Sequence, residues 1–593
     1  MKKLVIFLLL LTFVFADYQQ ILKSSWNYYK KNKIEKTGRP LADTDYDNIS
    51  NGSYGKDLTF SESVSYVLFR AVLSNDRDTF DNVWIWSLKN LMRKNIYHVF
   101  NWEKSRWEPM PEWKKDYLFA WRYTPNIKKT NMGGVIFVPE ESMTENGWRN
   151  GLDVAPDGDQ LIAGALIMAH NKWGSRAGDY NYMGYAKNII NDIWEKCVSS
   201  RSPGYIEDFN NPGAMEKWFA FYDKKGRLLK NLEKENNNAF LSIQTQDADW
   251  YGVGKYLGKV DMSAFEGVSF FTKDNQGVKL ILEDVEGQKI TIEKRYPYYD
   301  HLQEVVIFFQ KNKDTNFRWN AVKNIMFQPD DDYFALDEVR FLGISKTMVE
   351  KNYHLFSNDK GDPWINISYY MPFLYHTFAQ LDLNHPWQDL FRDALADIQK
   401  SKSITLRNQS GEEFKGNGAL VPDWCMLDTD NNFIDLPWAR DGKVDDYLSS
   451  WDAFRTWYFL GLTYALYPNM NVASVMKDKT YDFLTDKLTN EKKLTGGYGI
   501  DGRNMTIRGL QYEYPSTYGV YLAYFTALED KENSEIVLEK LDDMYNIRGY
   551  WGNDPKDYYK QNWAWLGLDF YCNKGKDILS LLKVSDYLAS DRP

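Results

Sequence analysis

The sequence predicts a mainly α-helical protein with an inserted all-β domain. Apolar residues recur at helical spacing through much of residues 17–203 and 346–593. Residues 204–345 differ, because short alternating runs are separated there by Gly, Asp and Asn, which is typical of a β-sandwich. Since an insertion is tolerated where the ends of a surface loop lie close together, we expect one helical domain that the β domain interrupts.

About a dozen helices are predicted in the two outer segments. An opening helix is expected near 18–33, and apolar stripes follow within 60–72, 80–91, 161–169 and 186–197. The second segment has helical patterns near 369–398, 452–466, 470–488, 516–528, 534–544 and 562–571. The strand-like runs of the inserted domain begin at Ala239, Gly267, Val278, Lys289, Glu304 and Phe334.

Charge and aromatic content narrow the class of ligand. The chain has 72 Lys and Arg against 82 Asp and Glu, a formal charge of −10. This argues against nucleic acid, because phosphate binding needs a basic surface. Trp, Tyr and Phe make up 16% of the 593 residues. Their flat apolar faces with polar edges suit sugar rings, so carbohydrate is a candidate ligand.

The first 16 residues are predicted to be a secretory signal peptide. Met1 is followed by Lys2 and Lys3, by an apolar run over 4–15 and by the small residue Ala16. The run is shorter than the roughly 20 residues that span a bilayer, and an N-terminal core helix is the alternative. We expect a secreted protein, extracellular or periplasmic, with no membrane segment after cleavage. We also expect a monomer.

The cysteines and histidines do not indicate a metal or a disulfide framework. Cys197, Cys425 and Cys572 lie far apart and include no Cys-x-x-Cys. The six His are scattered, and none forms a metal-spaced pair. We therefore expect catalysis without a cofactor.

Three acidic segments open predicted helices. They are Thr-Phe-Ser-Glu62, Ala-Pro-Asp157-Gly-Asp159 and Trp-Asp452-Ala-Phe-Arg. Each has a structural alternative. Glu62 fits a capping box, Asp157 and Asp159 fit the positive end of a helix, and Asp452 fits an N-cap.

Together and in this order, the three segments resemble glycoside hydrolase family 8. The family's signature of Ala, Ser/Thr, Asp, Gly/Ala, Asp and a following helix is matched by residues 155–173, except that Pro156 replaces Ser/Thr. The Ser-Glu-x-x-Ser/Gly-Tyr segment of its acid is matched by 61–66, and the Tyr-Asp-Ala-x-Arg segment of its base by 451–455. Further matches lie at 118–122, 368–372 and 420–425. The resemblance covers about 50–200 and 350–570, and it implies an (α/α)6 barrel that hydrolyses β-1,4-linked glycans with inversion.

Inverting hydrolysis needs a protonated carboxyl at the leaving oxygen and an ionised one that activates water, roughly 6.5–9.5 Å apart. The resemblance implies Glu62 as the acid and Asp452 as the base. Both begin helices, where the dipole favours the charged form, which suits Asp452 and opposes Glu62. We expect the negative charge of Asp157 to favour protonated Glu62, and Asp157 also to bind a sugar hydroxyl.

The remaining candidates in the barrel concern substrate binding. Tyr369 resembles the family tyrosine that helps to hold the water and the base. Asp159 is expected either to bind sugar or to cap its helix. The other candidate substrate-binding residues are Trp121, Arg122, Trp424 and Arg455. For the first three, core packing or a surface salt bridge is the alternative.

The inserted domain resembles a jelly-roll carbohydrate-binding module, of the broad type that includes family 11. The resemblance rests on residues 205–209, 250–252, 265–271, 319–328 and 336–339. Trp250 and Tyr251 are candidates for stacking on sugars, with a structural role as the alternative. Because opening and closing strands are neighbours in such folds, Glu207 or Asp208 is expected to meet Asp337 at a structural Ca²⁺ site, unless these acids are only solvated.

The favoured function is a secreted β-1,4-glucanase that acts on cellulose, carboxymethylcellulose or mixed-linkage glucan, or on their oligosaccharides. A xylanase of the same family, endo- or exo-acting, is the closest alternative. Alternatives of other classes are a glycan-binding protein without activity and an (α/α)6 polysaccharide lyase. The three acids favour hydrolysis over both.

Overall fold

The chain forms a helical domain and a β domain with separate hydrophobic cores. The computed structural model describes residues 2–42, 58–101, 106–109, 115–123, 135–137, 153–201, 205–207, 209, 214–223, 226–235, 238–260, 262–263, 265–309, 311, 316–342, 352–357, 364–408, 411–427, 432–435, 447–468, 471–507 and 509–583.

The helices fall on both sides of the β domain in the sequence. Before it lie α1 (Lys2–Lys33), α2 (Ser61–Leu73), α3 (Arg77–Asn90), α4 (Pro156–Trp173) and α5 (Tyr182–Cys197). After it lie α6 (Pro372–Leu381), α7 (Trp387–Ser401), α8 (Arg455–Leu466), α9 (Ala473–Met476), α10 (Lys479–Asp486), α11 (Pro515–Ala527), α12 (Lys531–Asp543), α13 (Tyr558–Asn573) and α14 (Lys576–Leu582).

Six of these helices form a closed inner ring. In the described part of the chain, α2 packs against α4, α6 against α8, α8 against α11, α11 against α13, and α13 against α2. The ring is completed where Gly164 of α4 approaches Leu374 of α6, since a Cβ at Gly164 would lie 2.9 Å from Leu374 Cδ2. The ring helices are apolar nearly all round, and all 13 residues of α11 are buried. Outer helices α3, α5, α7 and α12 pack against α2, α4, α6 and α11, and α1 packs against α13. The arrangement is the (α/α)6 barrel that the family resemblance implies.

Two helical patterns in the sequence differ from the helices that form. The pattern at 369–398 becomes α6 and α7, because residues between Leu381 and Trp387 leave the helix and Pro386 precedes the first residue of α7. The opening helix begins at Lys2 rather than near residue 18, so its backbone includes the predicted signal. No helix among the described residues combines the length and the apolarity needed to cross a bilayer.

The strands are short in the helical domain and longer in the β domain. Before the β domain lie β1 (Thr59–Phe60), β2 (Ile96–Asn101), β3 (Arg106–Pro109), β4 (Arg122–Tyr123), β5 (Val135–Phe137) and β6 (Val198–Arg201). The domain contains β7 (Tyr205–Glu207), β8 (Trp218–Tyr222), β9 (Arg227–Glu235), β10 (Asn238–Gln246), β11 (Tyr251–Val260), β12 (Gly267–Thr272), β13 (Gly277–Asp284), β14 (Lys289–Arg295), β15 (Gln303–Phe308), β16 (Val322–Pro329) and β17 (Tyr333–Leu342). After it lie β18 (Asn352–Leu355), β19 (Trp364–Ile365), β20 (Thr405–Arg407), β21 (Glu413–Lys415), β22 (Cys425–Leu427), β23 (Phe433–Ile434), β24 (Leu448–Ser449), β25 (Tyr498–Gly499), β26 (Tyr545–Asn546) and β27 (Tyr550–Trp551).

The β domain is a sandwich of two antiparallel sheets. One sheet has the order β15-β12-β17-β10-β9, with β7 also paired to β17, and the other has the order β14-β13-β16-β11-β8. Their inner faces meet in one core, where the rings of Phe270 on β12 and Phe327 on β16 lie 5.0 Å apart. Alternating burial along β13, from Gly277 to Asp284, reflects this packing.

The chain enters and leaves the β domain side by side. β6 pairs antiparallel with β18, with Arg201 opposite Asn352 and Val198 opposite Leu355. Because these two strands close the loop that carries the sandwich, the insertion leaves the ring of helices continuous.

Candidate active site

The amino-terminal ends of the inner helices meet at one end of the ring. Glu62 lies in the first turn of α2, Asp157 in the first turn of α4, and Asp452 just before α8. Tyr369 precedes α6, and Tyr558 begins α13. Contacts among these side chains bring residues from five segments of the sequence into one cluster. The amino-terminal ends of several helices therefore surround a group of carboxyl side chains.

Arg455 lies at the centre of this cluster. Its Nη1 donates to Glu62 Oε1 and, at 2.9 Å, to Asp157 Oδ2. Its Nη2 donates to Asp452 Oδ1 at 2.7 Å and to Ser368 Oγ at 2.8 Å. The Arg455 side chain is only 3% exposed, and its predicted role in substrate binding stays a prediction. Arg455 is buried because it neutralises and orients the three acids.

The carboxylate of Glu62 is held from three sides. Besides Arg455, Tyr66 Oη donates to Glu62 Oε1 at 2.5 Å and Tyr558 Oη donates to Oε2 at 2.5 Å. The Glu62 side chain is 16% exposed. It makes no capping box, because the N-cap Phe60 donates its N–H to Ser63 Oγ instead. A carboxyl that is ordered and reached by solvent suits proton transfer.

Asp157 lies deeper than Glu62. Its Oδ1 accepts from the N–H of Gly158 at 2.8 Å, and its side chain is 5% exposed. Burial raises the pKa of Asp157 to about 7, the Arg455 charge lowers it, and the Glu62 charge raises it again. A Cβ at Gly158 would lie 2.8 Å from Ser61 Oγ, so glycine permits the close approach of α4 to the start of α2. The expectation that Asp157 keeps Glu62 protonated stays a prediction.

Asp452 is the most exposed of the three acids, at 36% of its side chain. Its Oδ2 accepts from Trp424 Nε1 at 3.1 Å. The Trp424 ring meets Tyr369 edge to face at 5.9 Å, and the Arg455 guanidinium lies 5.6 Å from the centre of the Tyr369 ring. Asp452 is not an N-cap, since the N-cap of α8 is Phe454. Its carboxylate therefore faces the open side of the cluster.

Asp423 holds the backbone on both sides of Asp452. Its Oδ1 accepts from the N–H groups of Ser450 at 2.7 Å and of Ala453 at 2.8 Å, and its Oδ2 accepts from Ser450 Oγ at 2.5 Å. Its own N–H donates to the carbonyl of Leu448 at 2.8 Å. Burial and the charge of Asp452 raise the pKa of Asp423 to about 7. Asp423 thus positions the loop that carries the candidate base.

Trp121 forms one wall beside Glu62. Its ring stacks on Phe60 at 5.6 Å with an interplanar angle of 3°, and Phe60 lies 6.1 Å from Tyr558. Arg122 does not line the groove, because it is 2% exposed and its guanidinium lies 4.8 Å from the centre of the Trp121 ring. The prediction that Arg122 is a subsite wall is wrong: it supports Trp121 from the buried side.

Asp159 is a core residue and neither binds sugar nor caps α4. It is 0% exposed, and its Oδ1 accepts from the N–H of Phe119 at 2.9 Å. Its Oδ2 has no hydrogen-bond partner among the described residues. Burial raises the pKa of Asp159 well above its usual range, and its hydrogen bond to Phe119 joins α4 to the segment that precedes Trp121.

Four functional residues were missed by sequence reasoning: Tyr66, Ser368, Asp423 and Tyr558. Tyr66 follows Glu62 by four residues, which places both on one face of α2 and is a signal that sequence alone contains. Ser368 and Asp423 lie within the matched segments 368–372 and 420–425, although neither was assigned a role, and Tyr558 lies in none of the matched segments. The contacts that these three side chains make could not be predicted, because those contacts depend on where the inner helices meet.

The candidate sugar-binding residues of the β domain lie on opposite sides of the sheet. Trp250 is 46% exposed, whereas Tyr251 is 3% exposed and donates its Oη to the carbonyl of Asp331 at 2.7 Å. Tyr251 is therefore a core residue, and its predicted stacking on sugar is wrong. Successive side chains of a strand alternate between faces, so both residues could not face solvent.

The candidate calcium ligands are only partly described. Glu207 lies opposite Val339, in neighbouring strands β7 and β17, and accepts from Lys255 Nζ at 2.7 Å. Asp337 accepts from Asn238 Nδ2 at 2.6 Å. Asp208 lies outside the described residues. No group of three or more His, Cys, Asp or Glu suited to a metal occurs within the described ranges. The Ca²⁺ site stays a prediction.

The raised pKa values of three buried aspartates predict how the stability of the fold depends on pH. Burial raises the pKa of Asp569, in α13, to about 7, as it does for Asp157 and Asp423. The folded protein thus retains protons that unfolded carboxyls release near pH 4, so the free energy of unfolding should fall as pH rises from 5 to 8. Asp569→Asn should reduce this fall by about 2 kcal/mol in urea titrations at the two pH values.

Glu539→Gln, at an exposed position of α12, is the matched control and should leave the pH dependence unchanged. A loss of stability between pH 5 and 8 that is equal in Asp569→Asn and the unaltered chain would contradict a raised pKa at this residue.

Comparison with known proteins points to one family. A family model described as Glycosyl hydrolases family 8 matches residues 1–117 and 114–207. These matches support a glycoside hydrolase of family 8. The matched part contains Glu62 and Asp157, whereas Asp452 lies outside it and joins them through the ring of helices.

Two curated relatives with different names match parts of the chain. The chain is 26% identical to "Endoglucanase 2" of Ruminiclostridium josui over 178 residues. The matched region covers 30% of this chain and 29% of the relative. The chain is 22% identical to "Reducing end xylose-releasing exo-oligoxylanase" of Bifidobacterium adolescentis over 136 residues. That matched region covers 23% of this chain and 26% of the relative. The chain thus spans less than a third of the length of each. A solved GH8 xylobiose complex from Teredinibacter turnerae superposes with a TM-score of 0.47 at 12% identity, covering 96% of each chain.

Proposed function

We propose that this chain hydrolyses β-1,4-linked polysaccharide with inversion of configuration. Glu62 protonates the glycosidic oxygen as the bond to the leaving sugar breaks. Asp452 takes a proton from the water that attacks the anomeric carbon from the opposite side. Asp157 binds a sugar hydroxyl beside the scissile bond, and Tyr369 helps to hold the water.

One observation carries this proposal: Arg455 binds Glu62, Asp157 and Asp452 with a single guanidinium group. One nitrogen of the guanidinium binds Glu62 and the other binds Asp452, so the guanidinium lies between the two carboxyls. Both carboxyls are partly exposed. Inversion requires two carboxyls that are held apart rather than in direct contact, and the guanidinium keeps these two apart. The aromatic residues Trp121, Trp424 and Tyr369 around the cluster supply faces for sugar rings.

The favoured substrate is a β-1,4-glucan, in line with the name of the endoglucanase relative. The name of the second relative supports the alternative of xylan or its oligosaccharides. The two sugars differ by a hydroxymethyl group, a difference that pocket shape decides. A glycan-binding protein without activity is the alternative of another class, and the ordered and solvent-reached Glu62 and Asp452 disfavour it.

The experiment is a polysaccharide panel with the unaltered chain. Carboxymethylcellulose, mixed-linkage glucan and xylan are incubated separately, and reducing ends, ultraviolet absorbance and the anomeric proton signals of the first products are followed. We expect new reducing ends, no unsaturated product, and α-anomers first. Binding without cleavage would leave only the non-catalytic alternative, an unsaturated product would indicate a lyase, and β-anomers first would contradict inversion.

We further propose that the chain is exported after removal of residues 1–16. The basic start and apolar run of the sequence support this. Mass spectrometry of the protein from culture medium should show a new amino terminus at Asp17.

A further inference from the structure

A series of buried hydrogen bonds leads from the end of the β insertion to Arg455. Ser357 lies two residues after β18, the strand that follows the β domain, and its Oγ accepts from the N–H of Asn366 at 2.6 Å. Asn366 Oδ1 accepts from Ser368 Oγ at 2.7 Å, and Ser368 Oγ in turn accepts from Arg455 Nη2 at 2.8 Å. Asn366 and Ser368 are completely buried. The series therefore joins the strand that closes the insertion to the group that binds the three acids.

Asn366 does more than cap a helix. It is the N-cap of the short 3-10 helix Ile367–Tyr369, and its Oδ1 accepts from the N–H of Ser368 at 3.0 Å. The same oxygen also accepts the hydroxyl proton of Ser368, which a cap does not require. A serine hydroxyl has one proton and two acceptor lone pairs, and the proton rotates to suit its neighbours. Because this proton is directed at Asn366, the lone pairs of Ser368 Oγ are left for Arg455.

The backbone around Ser368 is fixed from other sides. The carbonyl of Tyr369 accepts from Gln160 Nε2 at 2.8 Å, and Tyr370 Oη donates to Asp397 Oδ2 at 2.6 Å. All four of these partners are buried. With the backbone held, rotation of the Ser368 hydroxyl is the freedom that remains to be set. Its direction matters, because a hydroxyl proton turned toward the guanidinium would oppose two donors in a buried site.

We propose that Asn366 is a positioning residue for the hydrolytic reaction and acts through Ser368 on Arg455. Arg455 Nη2 donates both to Ser368 Oγ and, at 2.7 Å, to Asp452 Oδ1, so a guanidinium fixed by Ser368 holds the candidate base in place. Loss of Asn366 frees the hydroxyl to turn, and Asp452 then loses its fixed direction toward the attacking water. The inference rests on the proposed function, because it assigns Asn366 to the placement of the base in that reaction.

The test is a cycle of substitutions in the full chain: Asn366→Leu, Ser368→Ala and both together. Leucine is close to asparagine in size and lacks the accepting oxygen, whereas Ser368→Ala removes the hydroxyl itself. In steady-state hydrolysis we expect each single variant to lower kcat about tenfold and to keep KM within about twofold, since the base acts on the water and not on the bound sugar. The double variant should lose no more than about threefold beyond either single variant, because both break the same series of hydrogen bonds.

Asn533→Leu is the matched control. Asn533 is a buried asparagine of the outer helix α12, and its Nδ2 donates to Asp530 Oδ2 at 2.6 Å, so its replacement should leave kcat within about twofold. A folded Asn366→Leu variant with unchanged kcat, or single losses that multiply in the double variant, would overturn the proposal. If Asn366→Leu does not fold, Asn366→Ala takes its place in the cycle. Failure of both to fold would show a structural role and would also overturn the proposal.

Failure of the proposed function gives a different result. If the unaltered chain hydrolyses no polysaccharide, the proposed function fails, and the coupling is measured instead in the urea midpoints of Asn366→Leu, Arg455→Met and the double variant. Ser368 joins Asn366 to Arg455, so a midpoint shift of the double variant that is smaller than the sum of the single shifts supports the positioning of Arg455. Single shifts that add in the double variant would refute it.

Discussion

Replacing Glu62 with Gln, or Asp452 with Asn, is expected to lower kcat by about 10² to 10⁴-fold in each case. Both substitutions keep the size of the side chain and an oxygen that accepts hydrogen bonds. In Glu62→Gln the amide oxygen can still accept a hydrogen bond from Tyr66 or Tyr558, so the fold should be retained while the transferable proton is lost. The measurement is steady-state hydrolysis of the substrate that the panel identifies, with circular dichroism to verify folding.

Adding azide to the variants distinguishes the role of the acid, Glu62, from the role of the base, Asp452. In Asp452→Ala the small anion can attack the anomeric carbon without a base, so azide should restore cleavage of the bond and yield a glycosyl azide. In Glu62→Gln azide should restore nothing, because the leaving group still lacks its proton. Asp569→Asn is the matched control, since Asp569 is a buried acid that does not touch the cluster. A folded Glu62 or Asp452 variant with more than a tenth of the original kcat would contradict its assigned role.

Replacing Arg455 with Met is expected to cause the largest loss of stability, about 3–5 kcal/mol at pH 8. The substitution leaves the buried carboxylate of Asp157 beside Glu62 with no cation between them. The loss should be smaller at pH 5, because Asp157, whose pKa is already raised to about 7, then carries a proton. Urea unfolding at the two pH values measures the difference.

Arg392→Met is the control for Arg455. Arg392 is 53% exposed and pairs with Asp389 and Asp393 at the surface, so its loss should cost less than about 1 kcal/mol. The free energy of unfolding of Arg455→Lys should lie between those of Arg455→Met and the unaltered chain. One ammonium group cannot contact three carboxylates in the geometry of a guanidinium. If Arg455→Met unfolds in the same urea concentration as the unaltered chain, the neutralising role of Arg455 is wrong.

Errors among the predicted site residues have a common physical origin. Asp159 follows Asp157 by two residues, and helical residues two apart point about 200° apart, so only one of them can face the cluster. Arg122 follows Trp121, and Tyr251 follows Trp250; neighbours in extended chain point to opposite faces. The spacing of side chains along a helix or an extended chain could therefore have excluded Asp159, Arg122 and Tyr251 from the candidate site residues. It could not have placed Arg455 at the centre, since an arginine three residues from an acid is equally typical of a surface salt bridge.

The sequence alone determined the helical domain, the β insertion and the three acids, because these depend on periodicity and on local segments at the starts of helices. Helix starts are marked in the sequence by the residues near them: Glu62 and Asp157 lie in the first turns of α2 and α4, and Asp452 lies just before α8. Tertiary structure decided which side chains act together. Closure of the ring places Arg455 among the acids and Asp423 behind Asp452. Such contacts join segments from 30 to nearly 400 residues apart, and no local pattern encodes the distances between those segments.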